Sequence, residues 1–471
     1  MIQRDALREY VRGSLWVLPT LCALAAVILG ELISRIDVPP TSPLAFQGTA
    51  DDARSLLIGI TGTMVTVIAL LLGLAVVALQ LSSTQFSPRL LRNFLRDRPN
   101  QLVLGVFVGT FAYSAGGLFT VGVVAGERSA EFPRFAVSVA IALLFVSLGL
   151  LVFFADHLAH SIQVDAIMRV VERNTLPVIR SGLFVAEQEL PPAPARAVPI
   201  PAARSGYVQA VDVRRLLATA VDQRLTVRLR PRVGEHVVAG TVLAWVWRAG
   251  PDGPPPDGPQ PVGPPSDGPP PDAPRPDVRA AAAAVQGAVR LGFERTLEQD
   301  PGFGFRQLVD AACKALSPAI NDPYTAIQAI EHLSVMFGAL AAGPVGDCIA
   351  GDATGTALVI IPGRRFSDHL ALGLGLIRRF GAGEPTVCQA LLRLLGSCAA
   401  LSVASPDRWS AIERQAELVV AAAERTVAEP DDLAVVHAEA DNLRQVLAAR
   451  RAGTADAAAR AEAVPGTPPP T

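Results

Sequence analysis

Lysine is almost missing from this chain: Lys314 is the only one among 41 basic residues, and every other basic side chain is arginine. With the abundance of alanine, glycine and proline, this reads as a GC-rich coding bias rather than as chemistry. It still excludes lysine-linked cofactor carriage by any segment that lacks Lys314. Charge is scarce as well. Charged residues make up 18% of the chain and the net charge is −2, so there is no basic excess for nucleic acid. The five cysteines (Cys22, Cys313, Cys348, Cys388, Cys398) show no CxxC or zinc-like spacing, and the last four fit a reduced, cytosolic setting. Nucleophile–base pairs and an HExxH helix are missing, and Gly351, Gly355 and Gly363 form no phosphate loop because no GK[ST] follows. The sequence therefore predicts no enzyme, no cofactor and no metal centre.

What the chain has is apolar surface. Its 471 residues leave room for about three domains. Hydrophobic residues reach 50%, concentrated in the first 160 positions. Four runs there are long enough to cross a bilayer: Leu15–Ile33, Leu56–Leu81, Leu102–Ala125 and Phe135–Phe154. The first follows Arg4, Arg8 and Arg12 as a signal peptide would, but three more spans make it a first span. Arginines gather at the N-terminus and at Arg89, Arg92, Arg96 and Arg98, whereas the 37–55 loop holds Arg54 against three aspartates. Both termini are accordingly expected in the cytoplasm. The expected partners are the lipid bilayer and further copies of the chain; a small ion or solute is a third, and nucleic acid is not one.

The second run organises the rest. On a helix, Gly59, Thr63, Thr66, Gly73 and Gln80 fall along one face of small or weakly polar residues. Such a face is either a close-packed seam or the wall of a permeation path, and both readings stay open. The third run carries its own stripe, Gly105, Gly109, Ala112 and Gly116, suited to tight helix crossing. Past the fourth run, Asp156, His157, His160 and Asp165 are too few and too loose for a closed metal site and read as interfacial.

Beyond a Pro/Ala linker at 191–201, Ser205 to Trp247 switches to the alternation of short half-buried strands, with Gly206, Gly234 and Gly240 at turns. The run from Val233 to Leu243 resembles the hairpin of biotinyl- or lipoyl-type barrels; without a lysine it predicts a structural barrel-like segment. Residues 250–277 form a Pro/Gly/Asp tract with little to bury. Further on, the pattern becomes helical. Gln299-Asp300-Pro301 and Asn321-Asp322-Pro323 place an N-cap residue before a first-turn proline, so helices should start near Pro301 and at Pro323, with Ser317-Pro318 ending the first. Arg295, Gln299, Asp300, Arg306, Asp310, Ser317, Asn321, Asp322 and Thr325 gather there as either a buried polar network or a ligand pocket. A short strand at 357–362 and helices near 366–380, 385–403, 408–428 and 431–451 follow, with His332, His369 and His437 in solvated or core roles. Residues 452–471 read as a disordered tail.

The stretches QLSSTQFSPRLLRNFLRDR (80–98), Arg295-Thr296 with Gln299-Asp300, and ALSPAINDPYTA (315–326) resemble domain-of-unknown-function family 2254, bacterial inner-membrane proteins, over roughly residues 10–430. The resemblance implies the topology and brings no substrate, cofactor or catalytic residue. The expected fold is a mostly α membrane protein, with four transmembrane helices followed by a cytoplasmic α+β region. Its parts are a transmembrane domain (1–160), a connector (161–201), a small β domain carrying the Pro/Gly insertion (202–292), a helical domain (293–451) and the tail. Two functions fit: an oligomeric channel-like or transport-related protein with a cytoplasmic regulatory domain, or a membrane-anchored sensor binding a ligand near residues 317–325. A small-residue helix running into a cytosolic β domain resembles the plan of small-conductance mechanosensitive channels, as architecture only.

Overall fold

A computed structural model of the chain describes residues 16–36, 38–39, 41–85, 98–121, 123–124, 127–128, 132–161, 163–181, 193–194, 197–248, 277–351 and 358–462. Arg89, Arg92 and Arg96, most of the Pro/Gly tract, part of the 191–201 linker and residues 463–471 lie outside the described residues. Contacts divide the chain into two units, Met1–Ile167 and Met168–Thr471.

The first unit holds four long apolar helices: α1 (Val17–Ser34), α2 (Ala50–Gln85), α3 (Arg98–Thr120) and α4 (Arg134–Ser161). A minimal hairpin of β1 (Val123–Val124) and β2 (Glu127–Arg128) joins the last two. Helix α3 is the hub, touching α1, α2 and α4. Its glycine stripe is a seam over two of its positions: Gly105 lies against Cys22, and Gly109 against Cys22 and Ala26, which lets α1 approach closely. Gly116 faces open space. Polar ties fix the crossing, with the Thr110 and Ser147 hydroxyls 3.0 Å apart and Tyr113 donating to the Ala136 carbonyl at 3.0 Å. Outward residues such as Ile58, Val65, Leu70, Phe145 and Val152 are exposed. An apolar exterior of that extent suits lipid, because soluble monomers rarely expose large contiguous apolar patches.

The second unit begins within α5 (Val164–Arg180), where Met168, Val171, Thr175 and Ile179 recur at helical spacing and are buried. Its strands are β3 (Val198–Pro201), β4 (Gly206–Val211), β5 (Leu225–Leu229), β6 (His236–Val237), β7 (Val242–Arg248), β8 (Val289–Gly292), β9 (Cys348–Gly351) and β10 (Leu358–Ile361). They form two open sheets, ordered β3-β7-β5-β10-β9 and β6-β4-β8. The barrel-like expectation is therefore corrected. The apolar strand β10 arrives from far along the chain and pairs in parallel with β5, so β3 and β9 end as separate edges rather than closing on each other. Gly234 (φ 85°) and Gly240 (φ 83°) do occupy turns in the left-handed region.

A second correction falls between β4 and β5. Residues read as part of a strand-rich run form the helix α6 (Val213–Gln223), capped by Asp212, whose carboxylate accepts from the Arg215 N–H. The cap was visible in the sequence, and so was the Leu216/Ala220 spacing that buries one face. Helix α7 (Val278–Ala288) packs on α6, and Leu216, Ala220, Ala281 and Val285 share one core with Val227, Val246 and Val359 of the larger sheet.

The helices α8 (Pro301–Ala315), α9 (Pro323–Ala342), α10 (Phe366–Gly381), α11 (Pro385–Leu401), α12 (Pro406–Thr426) and α13 (Pro430–Glu462) complete the unit. Helix α13 continues to Glu462, so residues 452–462 are helical where a disordered tail was expected. Among the described residues, five helices are long and apolar enough to cross a membrane: α1 to α4, and also α9. The last differs from the others. Half of its apolar window is buried inside the unit, against 11–39% for the other four, because Ile330, Leu333, Met336 and Phe337 pack into the core.

Candidate functional site

The two Asp-Pro turns lie at opposite ends of the 15-residue helix α8, about 22 Å apart at 1.5 Å per residue. The expected polar cluster is therefore divided between them. At the far end, the chain leaves α8 through backbone bonds from Asn321 N–H to Ser317 O (2.8 Å) and from Asp322 N–H to Ala315 O (2.8 Å). Asn321 sits at φ 50°, a left-handed conformation that asparagine tolerates better than most residues. Asp322 caps α9, accepting from the Thr325 N–H (3.1 Å) and hydroxyl (2.6 Å), and these bonds hold its carboxyl below the usual range. Ser317 donates to the Lys314 carbonyl at 2.7 Å. Asn321 is exposed, as are Ile320 and Tyr324. The buried-network reading of this turn is thus corrected: its hydrogen bonds are local and its outer side faces solvent.

At the near end the outcome is reversed. Asp300 precedes Pro301 as expected but makes no side-chain cap bond. It is 2% exposed and paired with Arg295, whose Nε and Nη2 donate to Oδ2 at 3.0 and 2.6 Å, while Arg364 Nη1 stands 3.5 Å from Oδ1. Burial pushes its carboxyl above the ordinary range, and the two guanidiniums pull the other way. Gly234, at the tip of the β5–β6 turn, makes room: a methyl group there would overlap the Asp300 carboxylate. Gln299 acts as a strand substitute, with its amide accepting from Val211 N–H (2.8 Å) and donating to Val211 O (3.2 Å). Arg306 and Asp310 form an i,i+4 ion pair further along α8.

Beside Asp300 a small, partly open cleft is lined by Arg232, Asp300, Arg364 and His369 with apolar walls that include Ile179 and Val345. His369, on α10, is buried and packs 5.6 Å from the Phe305 ring. Burial, then Arg364 and Arg232, push it down to about 3, so the imidazole is neutral. Arg232, Arg364 and His369 were not singled out as site residues from the sequence. Arg232 lies in the β5–β6 turn, while Arg364 and His369 lie at the start of α10, far along the chain.

In the first unit, Gly59, Thr63, Thr66, Gly73 and Gln80 of α2 are all exposed, and a methyl group at Gly59, Gly62 or Gly73 would meet nothing. Thr63 and Thr66 donate to the Gly59 and Gly62 carbonyls at 2.8 and 3.1 Å. The opposite side, with Leu57, Ile60, Met64 and Leu71, is the one that joins the core of the helices. Among the described residues, the small-residue face is therefore no seam. His157 stacks on Phe153 at 5.7 Å, and the His160 side chain lies outside the described residues.

Residues 12–397 match the family described as a predicted membrane protein (DUF2254). The chain belongs to that family of multi-helix membrane proteins. It is 42% identical over 462 residues to uncharacterized proteins of Mycobacterium bovis and Mycobacterium tuberculosis, an alignment covering 96% of this chain and 84% of each relative. No solved structure matches it.

Proposed function

We propose that the protein crosses the cytoplasmic membrane four times through α1 to α4, with both ends in the cytoplasm, and assembles with further copies around α2 in a channel-like or transport-related role. Four crossings fit the arginine bias of the loops and leave α9, which buries half of its apolar window in its own unit, to the soluble part. The observation that carries the assembly is the bare face of α2. Gly59 and Gly73 have open space around them although glycine weakens a helix by roughly 0.5–1 kcal/mol relative to alanine. Close approach of another helix, or of water, gives such residues a use.

Single cysteines at Gly59, Thr63, Thr66 and Gly73, in a background freed of the five native cysteines, test this with a charged, membrane-impermeant thiol reagent. Labelling at these positions, with Leu57 and Leu71 silent, is expected for a water-lined path. Silence at all of them, together with a monomer by light scattering in detergent, sinks the proposal.

A further inference from the structure

The cleft beside Asp300 is lined by two guanidiniums, Arg232 and Arg364, and one carboxylate. Asp300 is shared by Arg295 and Arg364, and among the described residues Arg232 has one ion pair, with Asp368 at 3.8 Å. Asp368 is itself engaged by the Arg365 N–H at 3.2 Å. Two further carboxylates nearby are turned to the backbone: Asp347 accepts from Gly363 N–H (2.7 Å) and Glu235 from Arg232 N–H (3.2 Å). At the lining itself two guanidiniums face one carboxylate, while Asp368, Asp347 and Glu235 lie outside it.

His369 provides an independent observation. His369 is among the residues lining the cleft and is 5% exposed, yet its Nδ1 is buried with no hydrogen-bond partner among the described residues. Buried polar atoms are rarely left without one, and a bound group is one way of supplying it. Arginine forks match the geometry of oxyanions, and a neutral imidazole offers one N–H donor. A metal cation is disfavoured, because any cation held by Asp300 and His369 would face Arg232 and Arg364.

We propose that this cleft binds a small oxyanion, a phosphate or carboxylate group, between the Arg232 and Arg364 guanidiniums with His369 as an additional donor. The site lies wholly within the second unit and does not depend on whether α2 lines a pore. The same phosphate chemistry has two sources, a free anion or the headgroup of an acidic lipid.

The test uses the full chain in an uncharged detergent, titrated with inorganic phosphate at constant ionic strength. The unfolding midpoint is expected to rise saturably, as for any ligand that binds the folded state alone. Arg214→Gln, at an exposed position outside the cleft, should respond as the parent does. Arg232→Gln should bind at least tenfold more weakly, as expected for loss of a charge-assisted contact. Arg232 is 39% exposed and has one long ion pair, so this variant should fold even if Arg364→Gln does not. Phosphatidylglycerol that abolishes the phosphate response would assign the site to a headgroup, and an unchanged response to a free anion. No saturable rise, or an equal rise in Arg232→Gln, overturns the proposal.

Discussion

Asp300-Pro301 and Asp322-Pro323 are the same dipeptide at the same place, the first turn of a helix, and they do different work. Asp322 lies at the surface and satisfies the first turn of α9 through Thr325. Asp300 leaves the first turn of α8 without a side-chain cap and serves as the buried counter-ion of Arg295 and Arg364. A carboxylate at a helix start is cheap to keep in water. Under a sheet turn and between two guanidiniums it is held by charge, and removing it strands its partners. Local sequence sets where a helix begins; burial decides what the capping residue is for.

The comparison breaks most sharply at Asp300→Ala. Two guanidiniums lose their partner in a buried setting, and breaking such a pair costs about 3–5 kcal/mol. Denaturant unfolding of the full chain in detergent should show a large loss in the transition of the second unit. A cost no larger than that of Asp322→Ala would reduce Asp300 to an ordinary cap. Gly234→Ala comes next, since φ 85° and the crowding of Asp300 both penalise a side chain. We expect about 1–3 kcal/mol from the strained backbone, and a neutral result would show that the β5–β6 turn yields without disturbing the ion pair.

Asp322→Ala should have the smallest effect, about 0.5–2 kcal/mol, as for the loss of an N-cap. The two aspartates also predict opposite acid behaviour. Because hydrogen bonds lower the Asp322 pKa in the fold, its stabilisation is present above the ordinary value of 3.8 and is lost as pH falls through the lowered native value. Asp300 is raised, so its contribution is full below 3.8 and is lost as pH rises through the raised native value. Unfolding of the parent, Asp300→Asn and Asp322→Asn between pH 3 and 7 reads both trends. Parallel trends in the two variants would show that both carboxylates sit in equivalent surroundings.

Much of the fold was legible in the sequence. The apolar runs became α1 to α4 because a bilayer-length stretch without charge has few other uses. The helices starting at Pro301 and Pro323 followed from proline's fixed φ and missing N–H. Helix α6 was missed although Asp212 announced it, because alternating neighbours on both sides drew attention to strands. The candidate site was legible only in part. Arg295 and Asp300 stood close together in sequence, but Gly234 and Arg232 come from the β5–β6 turn and Arg364 and His369 from the start of α10, both far along the chain.

The sequence by itself determined the membrane-compatible helices, most of the element boundaries and the local cap at Asp322, all of which depend on neighbours within one or two turns. Only the tertiary structure decided three other matters. Strand β10 joined β5 instead of leaving a barrel to close. Gly105 and Gly109 of α3 pack against α1 while Gly59, Gly62 and Gly73 of α2 face outward. One of two like Asp-Pro turns was buried among arginines. Each of these depends on which distant surfaces meet, and local pattern carries no record of that because periodicity specifies a face without specifying its partner.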